Sequence, residues 1–244
     1  MLNIVIPMAG AGSRFAQAGY TKPKPFIDVA GKPMIARVME NLNDGFEDVR
    51  FILIARAEHM EAEKKLVCKI KETYKAIFVP ISKLTEGAAC TVLHARSLIN
   101  NNDPLLIANS DQLVDASMKM FTSDCAQRGL NGSILTFRDP CKDNKWSFAR
   151  INEAGIVQEV REKQPISDIA TVGIYYFSKG RDYVDATVDM IIENERVNNE
   201  FYVCPVYNYG IRLGLHFGIF DIPFKAMHGI GTPNDLKSYL TLIK

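Results

Sequence analysis

The chain has 244 residues, 47% of them hydrophobic, with a formal net charge of +1 and no excess of glycine or proline. Such a chain buries a sizeable core as one large domain or two small ones, and its near-neutral balance argues against a generally basic nucleic-acid binder. No run of about 18 apolar residues is present, and the first residues hold a strand and a glycine turn in place of a signal peptide, so the expectation is a cytoplasmic protein with no membrane partner.

Apolar runs bounded by turn residues recur at 2–7 (LNIVIP), 49–55 (VRFILIA), 75–80 and 105–109 (LLIAN), as buried parallel strands do. Between them, 33–43, 58–74 and 86–99 have helical periodicity, the first opening on Pro33. Strand alternating with helix predicts right-handed crossovers and a wound α/β sheet covered on both faces. The second half is richer in strands, at 132–138, 147–151, 155–162, 170–177 and 216–222, with helices expected near 179–195 and 201–213. At the end, Thr232 is placed to cap a helix whose first residue is Pro233. No repeat or linker divides the chain, so a single compact domain is expected. Cysteines 68, 90, 125, 141 and 204 are odd in number and form no C-x-x-C pair, which reads as reduced thiols, mostly in the core.

The stretch IPMAGAGSRF (6–15) places small residues where the first strand turns into the next element. It lacks the Gly-Lys-Ser/Thr of a Walker loop, and Phe15 stands where a dinucleotide fingerprint needs its third glycine. Gly10 and Gly12 leave backbone N–H groups free to converge, and Arg14 adds a guanidinium fork, a combination suited to a polyanion such as a triphosphate. Five cations fall within residues 1–37 against Asp28 alone. A small polyanionic ligand accounts for that concentration; a solvated lysine patch accounts for it equally well. Lys24 lies between Pro23 and Pro25, which are expected to bar a helix and hold it on a stiff extended segment.

AGAGSRF followed by KPKPFIDVAGKPMI resembles the signature of sugar-nucleotidyltransferases. LTEGAAC (84–90), LLIANSDQ (105–112), VREKQP (160–165), ATVGIYYF (170–177) and GIGTPNDL (229–236) are similar to later elements of that family, in family order, over nearly the whole chain. The resemblance implies a Rossmann-like mixed, mostly parallel sheet flanked by helices, with a smaller acceptor-binding lobe. It also implies one nucleotidyltransferase domain over 1–244, with a nucleotide-binding half at about 1–130 and an acceptor-binding half at about 131–244. Carried over by position, Ala9, Gly10, Ala11, Gly12, Ser13, Gly87 and Ala88 would meet the nucleotide. Arg14 would meet the leaving pyrophosphate and Lys24 the reacting α-phosphate. Asp111 would hold Mg²⁺, and Glu162, Lys163 and Gly173 would meet a phosphorylated acceptor. For Asp111, a position at the carboxyl end of its strand agrees with where α/β sheets bind ligands, although NSD also reads as an ordinary turn.

The chain departs from the pattern where many members carry a second metal-binding Asp, since Gly229 stands there; Asp221, His228 and Asp235 are candidate substitutes. IPMAGAGSRF and GYTKPKPFIDV together look closest to a capsule-associated subgroup that joins CTP to phosphoglutamine. The implied reaction is attack of an acceptor phosphate on a nucleoside triphosphate, with a homo-oligomer possible. An acceptor phosphate is mostly ionised near neutrality, so no side chain need act as base, in keeping with four histidines (59, 94, 216, 228) that show no metal or triad spacing. The alternatives are a sugar-1-phosphate nucleotidyltransferase, a glycosyltransferase, against which the single carboxylate of NSDQ counts, and a catalytically inactive nucleotide-binding homologue.

Overall fold

The computed structural model of the protein describes residues 1–243. It opens with β1 (Leu2–Pro7) and the short helix α1 (Ser13–Gln17), then a 3-10 turn at Lys24–Phe26 and a ribbon of β2 (Asp28–Val29) with β3 (Lys32–Pro33). There follow α2 (Met34–Asn43), β4 (Val49–Arg56), α3 (Ala57–Ala62), α4 (Lys64–Tyr74), β5 (Ile77–Ile81), α5 (Ala88–Leu93), α6 (Arg96–Ile99) and β6 (Leu105–Ala108). The rest comprises β7 (Gln112–Val114), α7 (Met118–Gln127), β8 (Gly132–Arg138), β9 (Ser147–Ile151), β10 (Val157–Glu162) and β11 (Ile169–Phe177), then α8 (Gly180–Ile192), α9 (Val206–Arg212), β12 (Phe217–Asp221), β13 (Met227–Gly229) and α10 (Pro233–Leu242).

Nine strands form one mixed sheet, ordered β10-β9-β11-β6-β1-β4-β5, with β8 on β11 and β12 on β8. Strands β6, β1, β4 and β5 run parallel, as their apolar runs predict, whereas β11 is antiparallel to β6, β8 and β9. Successive residues of β1 feed opposite faces: Ile4 and Ile6 pack in the core beneath α2, and Val5 packs in the core beneath α5 and α8. A second helix layer therefore covers each face, and no described helix is long and apolar enough to cross a membrane.

The sheet forks at β11. Its second half, Ile174–Phe177, pairs with β6, while Ala170 pairs with Phe148 of β9. The register with β8 shifts between Thr171 and Tyr175, where Gly173 takes a φ of 90°. Strands β6 and β9 thus share one edge of β11, and the chain leaving β6 emerges at the gap between them.

Several boundaries differ from expectation. The 58–74 helix breaks at Glu63, and α3 buries none of its side chains, so nothing holds it in line with α4, which packs Val67 and Ile70. The 86–99 helix breaks at Ala95, and the 201–213 helix begins only at Val206, because residues before it are spent on contacts with the Gly87 turn described below. Lys24 sits in the 3-10 turn and not on an extended segment: Pro25 occupies its first turn, where a missing N–H costs no hydrogen bond. All five cysteines are free, but only Cys125 and Cys204 are buried; Cys68 and Cys141 are exposed and Cys90 is intermediate. Helix α10 is capped as read, with the Thr232 hydroxyl accepting from the Asp235 N–H.

Candidate active site

The carboxyl ends of the parallel strands converge on a cavity of about 510 Å³ whose wall includes Gly10–Arg14, Lys24, Asn109–Asp111, Glu200 and Gly231. Strand β1 delivers the glycine loop, fixed by Met8 N–H donating to the Ile54 carbonyl at 2.9 Å. Gly12 has a φ of 63°, and a Cβ there would lie 3.2 Å from the Cβ of Lys24. Its bare backbone lets the loop and the lysine pack directly together. Phe26, 1% exposed, anchors the 3-10 turn, so the Lys24 ammonium projects from a fixed base.

Across the cavity, Lys24 forms an ion pair with Asp111. Bare backbone holds Asp111 and its loop from two sides. The Asn109 N–H donates to the Gly173 carbonyl at 3.1 Å, and a Cβ on Gly173 would overlap the Asn109 amide. The Ile230 N–H donates to the Asp111 carbonyl at 2.9 Å, and a Cβ on Gly231 would overlap the Asp111 carboxylate. The GTP element at the start of α10 therefore closes the site, a contact that its letters do not announce.

A second cavity of about 740 Å³ shares Arg14, Asn109, Asp111 and Gly231 with the first. Gly229 lines it, opposite Gln112 in the β7–β13 ribbon, with open space where its Cβ would be. Of the three substitutes considered for a second metal carboxylate, Asp221 lines neither cavity and is bound to Arg138 at 2.7 Å and to the Thr136 hydroxyl. His228 and Asp235 do line the second cavity, His228 held by Asp115 at 2.7 Å and Asp235 by the Thr232 hydroxyl at 2.6 Å. Among the described residues, no three His, Cys, Asp or Glu side chains cluster to enclose a metal. Asp111 on its own matches the one-carboxylate donor set of a hard divalent cation whose other ligands are phosphate oxygens and water.

Gly87 and Ala88 lie behind the loop, outside both cavity walls, as does Ala9, which is 4% exposed. Gly87 has a φ of 119°, and a Cβ there would overlap the Phe201 backbone. The two segments are stitched together by Phe201 N–H to Glu86 carbonyl (2.7 Å) and Ala89 N–H to Phe201 carbonyl (3.0 Å). Arg196 stacks on the Phe201 ring at 4.2 Å and donates to the Glu86 carboxylate at 2.7 Å. Just before Phe201, Val197 and Glu200 exchange backbone hydrogen bonds of 3.0 Å around Asn198 and Asn199, with φ of 49° and 63°. This two-residue turn of the primed type carries Glu200 to the first cavity. Glu200 is not among the individual site residues expected, although the stretch 198–208, which mixes amides with aromatics, reads as abutting the acceptor side or as core.

The same segment, a strap over residues 197–202, continues to Tyr202. Tyr202 accepts a 2.7 Å hydrogen bond from Lys163, whose ammonium also lies 4.7 Å from the ring centre. That bond, with nearby carboxylates, raises the Lys163 pKa against the opposing effect of burial. Glu162 accepts from the Ser147 hydroxyl, and burial raises its pKa above the usual carboxylate range. Neither Glu162, Lys163 nor Gly173 lines the two cavities; Gly173 acts on the site through Asn109.

The sequence model of the nucleotidyl transferase family matches residues 4–202. Mannose-1-phosphate guanylyltransferase catalytic subunit beta of Drosophila melanogaster is 27% identical over 177 residues, 71% of this chain and 47% of that protein, so the chain spans about half the length of such curated relatives. The nucleoside-diphosphate-sugar pyrophosphorylase of Vibrio cholerae RC9 superposes with a TM-score of 0.82 at 25% identity, over 98% of this chain and 99% of that one. The inositol-1-phosphate CTP transferase of T. maritima, at 16% identity, shares the fold with a TM-score of 0.76, over 99% of this chain and 94% of that one. With that match over most of its length, and a mixed sheet gathering a glycine loop, a lysine and an aspartate at its carboxyl edge, the chain belongs to the nucleotidyl transferase family.

Proposed function

We propose that the protein transfers a nucleoside monophosphate, CMP from CTP, to a small phosphorylated acceptor such as phosphoglutamine, releasing pyrophosphate during surface-polysaccharide precursor synthesis in the cytoplasm. The observation that carries the transfer reading is the meeting of Lys24 and Asp111 over a cavity walled by Gly10–Arg14. A lysine and a carboxylate brought together from opposite elements, beside the backbone of a glycine loop, suit a triphosphate and its counter-ion.

In this reading the backbone from Gly10 to Ser13 cradles the phosphates with Ala9 buried behind it, Arg14 takes the leaving pyrophosphate and Lys24 the α-phosphate, while the Gly87–Ala88 turn backs the base. Glu162, Lys163 and Gly173 shape the acceptor side. Asp111 would hold Mg²⁺, which when bound neutralises phosphate charge. Lys24 then exchanges its carboxylate partner for a phosphoryl oxygen as negative charge builds there. The acceptor phosphate is already ionised and attacks the α-phosphorus in line with the departing pyrophosphate, so catalysis is positioning and charge neutralisation.

The deciding experiment is pyrophosphate release with each of the four common ribonucleoside triphosphates against phosphoglutamine and a panel of hexose 1-phosphates. Steep preference for CTP and phosphoglutamine is expected; efficient release with a hexose 1-phosphate and none with phosphoglutamine would overturn the acceptor assignment. The second reading, a sugar-1-phosphate nucleotidyltransferase, is favoured by the likeness to a mannose-1-phosphate guanylyltransferase and a nucleoside-diphosphate-sugar pyrophosphorylase. The Mg²⁺ assignment is tested by Asp111→Asn, which should abolish metal-dependent turnover; full activity in that variant or in excess chelator would refute it.

A further inference from the structure

Four charged side chains line the first cavity: Arg14, Lys24, Asp111 and Glu200. Lys24 and Asp111 are paired with each other, whereas Glu200 forms no ion pair among the described residues. An unpaired carboxylate is a liability in a cavity suited to polyanions, because it repels every incoming phosphate unless a cationic group meets it.

Its placement is also highly constrained for a surface glutamate. The Asn198–Asn199 turn precedes it, the doubly hydrogen-bonded Phe201 follows it, and Arg196 ties the turn to Glu86 and to the Asn199 carbonyl. Glu200 lines the first cavity while Tyr202, two residues on, holds Lys163, so Glu200 stands between that cavity and the residues assigned to the acceptor. Lys163, a cation on that side, is already bound to the Tyr202 hydroxyl.

Resting on the transfer reading above, we propose that Glu200 is a specificity residue that selects a phosphorylated acceptor carrying a primary ammonium group. The ammonium neutralises the carboxylate as the acceptor's phosphate enters, so a zwitterionic acceptor removes a repulsion that a neutral polyol leaves in place. A charge-assisted hydrogen bond of this kind also gives direction, orienting the phosphate toward the glycine loop.

The test uses matched acceptors, phosphoglutamine and O-phosphoethanolamine, each against its N-acetyl form, with CTP and the purified full chain. The wild type should favour the free amine by about 10- to 100-fold in kcat/KM, the scale of a charged hydrogen bond. Glu200→Gln should erase that preference by raising the KM for the free-amine acceptor and melt at the wild-type temperature, and Glu200→Asp should restore part of it. Equal use of amine and N-acetyl acceptors, retained preference in Glu200→Gln, or turnover of hexose 1-phosphates alone would overturn the inference. Loss of Mn²⁺ binding in Glu200→Gln, read by paramagnetic resonance with CTP present, would reassign Glu200 as a metal ligand and overturn it also. Calorimetric titration with CTP separates the two levels: if no triphosphate binds, the transfer reading fails and this inference with it, whereas CTP binding with indifference to the amine sinks this inference alone.

Discussion

The glycine-loop wall and the strap wall of the first cavity are held in place by different means. On the loop side, position comes from bare backbone: Gly12 lies against Lys24, Gly231 against Asp111 and Gly173 against Asn109, on strands buried on both faces. On the strap side it comes from side chains: Arg196 on Phe201, Tyr202 on Lys163 and Ser147 on Glu162. Backbone contacts leave no room for substitution, whereas side-chain contacts can be retuned one at a time. The loop side therefore suits what is common to every triphosphate, and the strap side suits what varies between acceptors.

The sharpest way to break this contrast is Lys24→Ala. Removing one preorganised charge at a developing anion should lower kcat by about two to three orders of magnitude, roughly 3–4 kcal/mol. Lys22→Ala is the control, because Lys22 lines neither cavity of the site. Equal losses in both variants, measured by pyrophosphate release, would show that bulk charge and not placement matters.

Gly173→Ala tests the backbone wall directly. The new Cβ must displace the Asn109 amide at a φ of 90°, which should cost about 2–4 kcal/mol of stability by denaturant titration. An alanine accepted without loss would mean that the fork in the sheet is adaptable. On the strap side, Tyr202→Phe removes only the hydroxyl that holds Lys163. It should raise acceptor KM about fivefold, near 1 kcal/mol, with kcat and the KM for CTP little changed. A fall in kcat as large as that of Lys24→Ala would erase the distinction between the two walls.

The smallest effect expected is a pH dependence from Glu162. Burial raises its folded pKa, so the folded state binds that proton more tightly than the unfolded chain. The linked stability is present below the unfolded pKa and is lost as pH rises through the folded value. Glu162→Gln cannot ionise, so its melting temperature relative to the wild type, without substrates, should climb as pH rises through and above the ordinary carboxylate range. A difference flat with pH would mean that the Ser147 bond fully offsets the burial.

Much of the loop wall was legible in the letters. Gly10, Gly12, Arg14 and Asp111 lie just after short apolar runs whose strand character is local, Lys24 stands out by its two flanking prolines, and the structure brings all five to one cavity. The strap wall was legible only as a stretch: the mixed amides and aromatics of 198–208 read either as the acceptor side or as core. They divide, Phe201 and Tyr207 being buried while Glu200 reaches the cavity through Phe201's backbone hydrogen bonds to the distant Gly87 turn. The β7–β13 ribbon was missed for a related reason: three residues a side are too few for periodicity to register. Helix α7, capped by Ser117, is not predicted from the sequence, since its buried stripe is only Met118, Phe121 and Cys125 in a segment otherwise mostly of small and polar residues.

The fork at β11 also bears on how the molecule is made. Strand β6, four buried apolar residues, gains its second neighbour only when Ile169–Phe177 arrives, and β8 waits still longer for β12. During translation, a chain released as far as residue 130 presents Leu105–Ala108 as a bare hydrophobic edge, the kind that recruits other nascent chains. Closure between such distant segments makes for slow folding, and it gives newly made protein a window in which chaperone capture competes with aggregation.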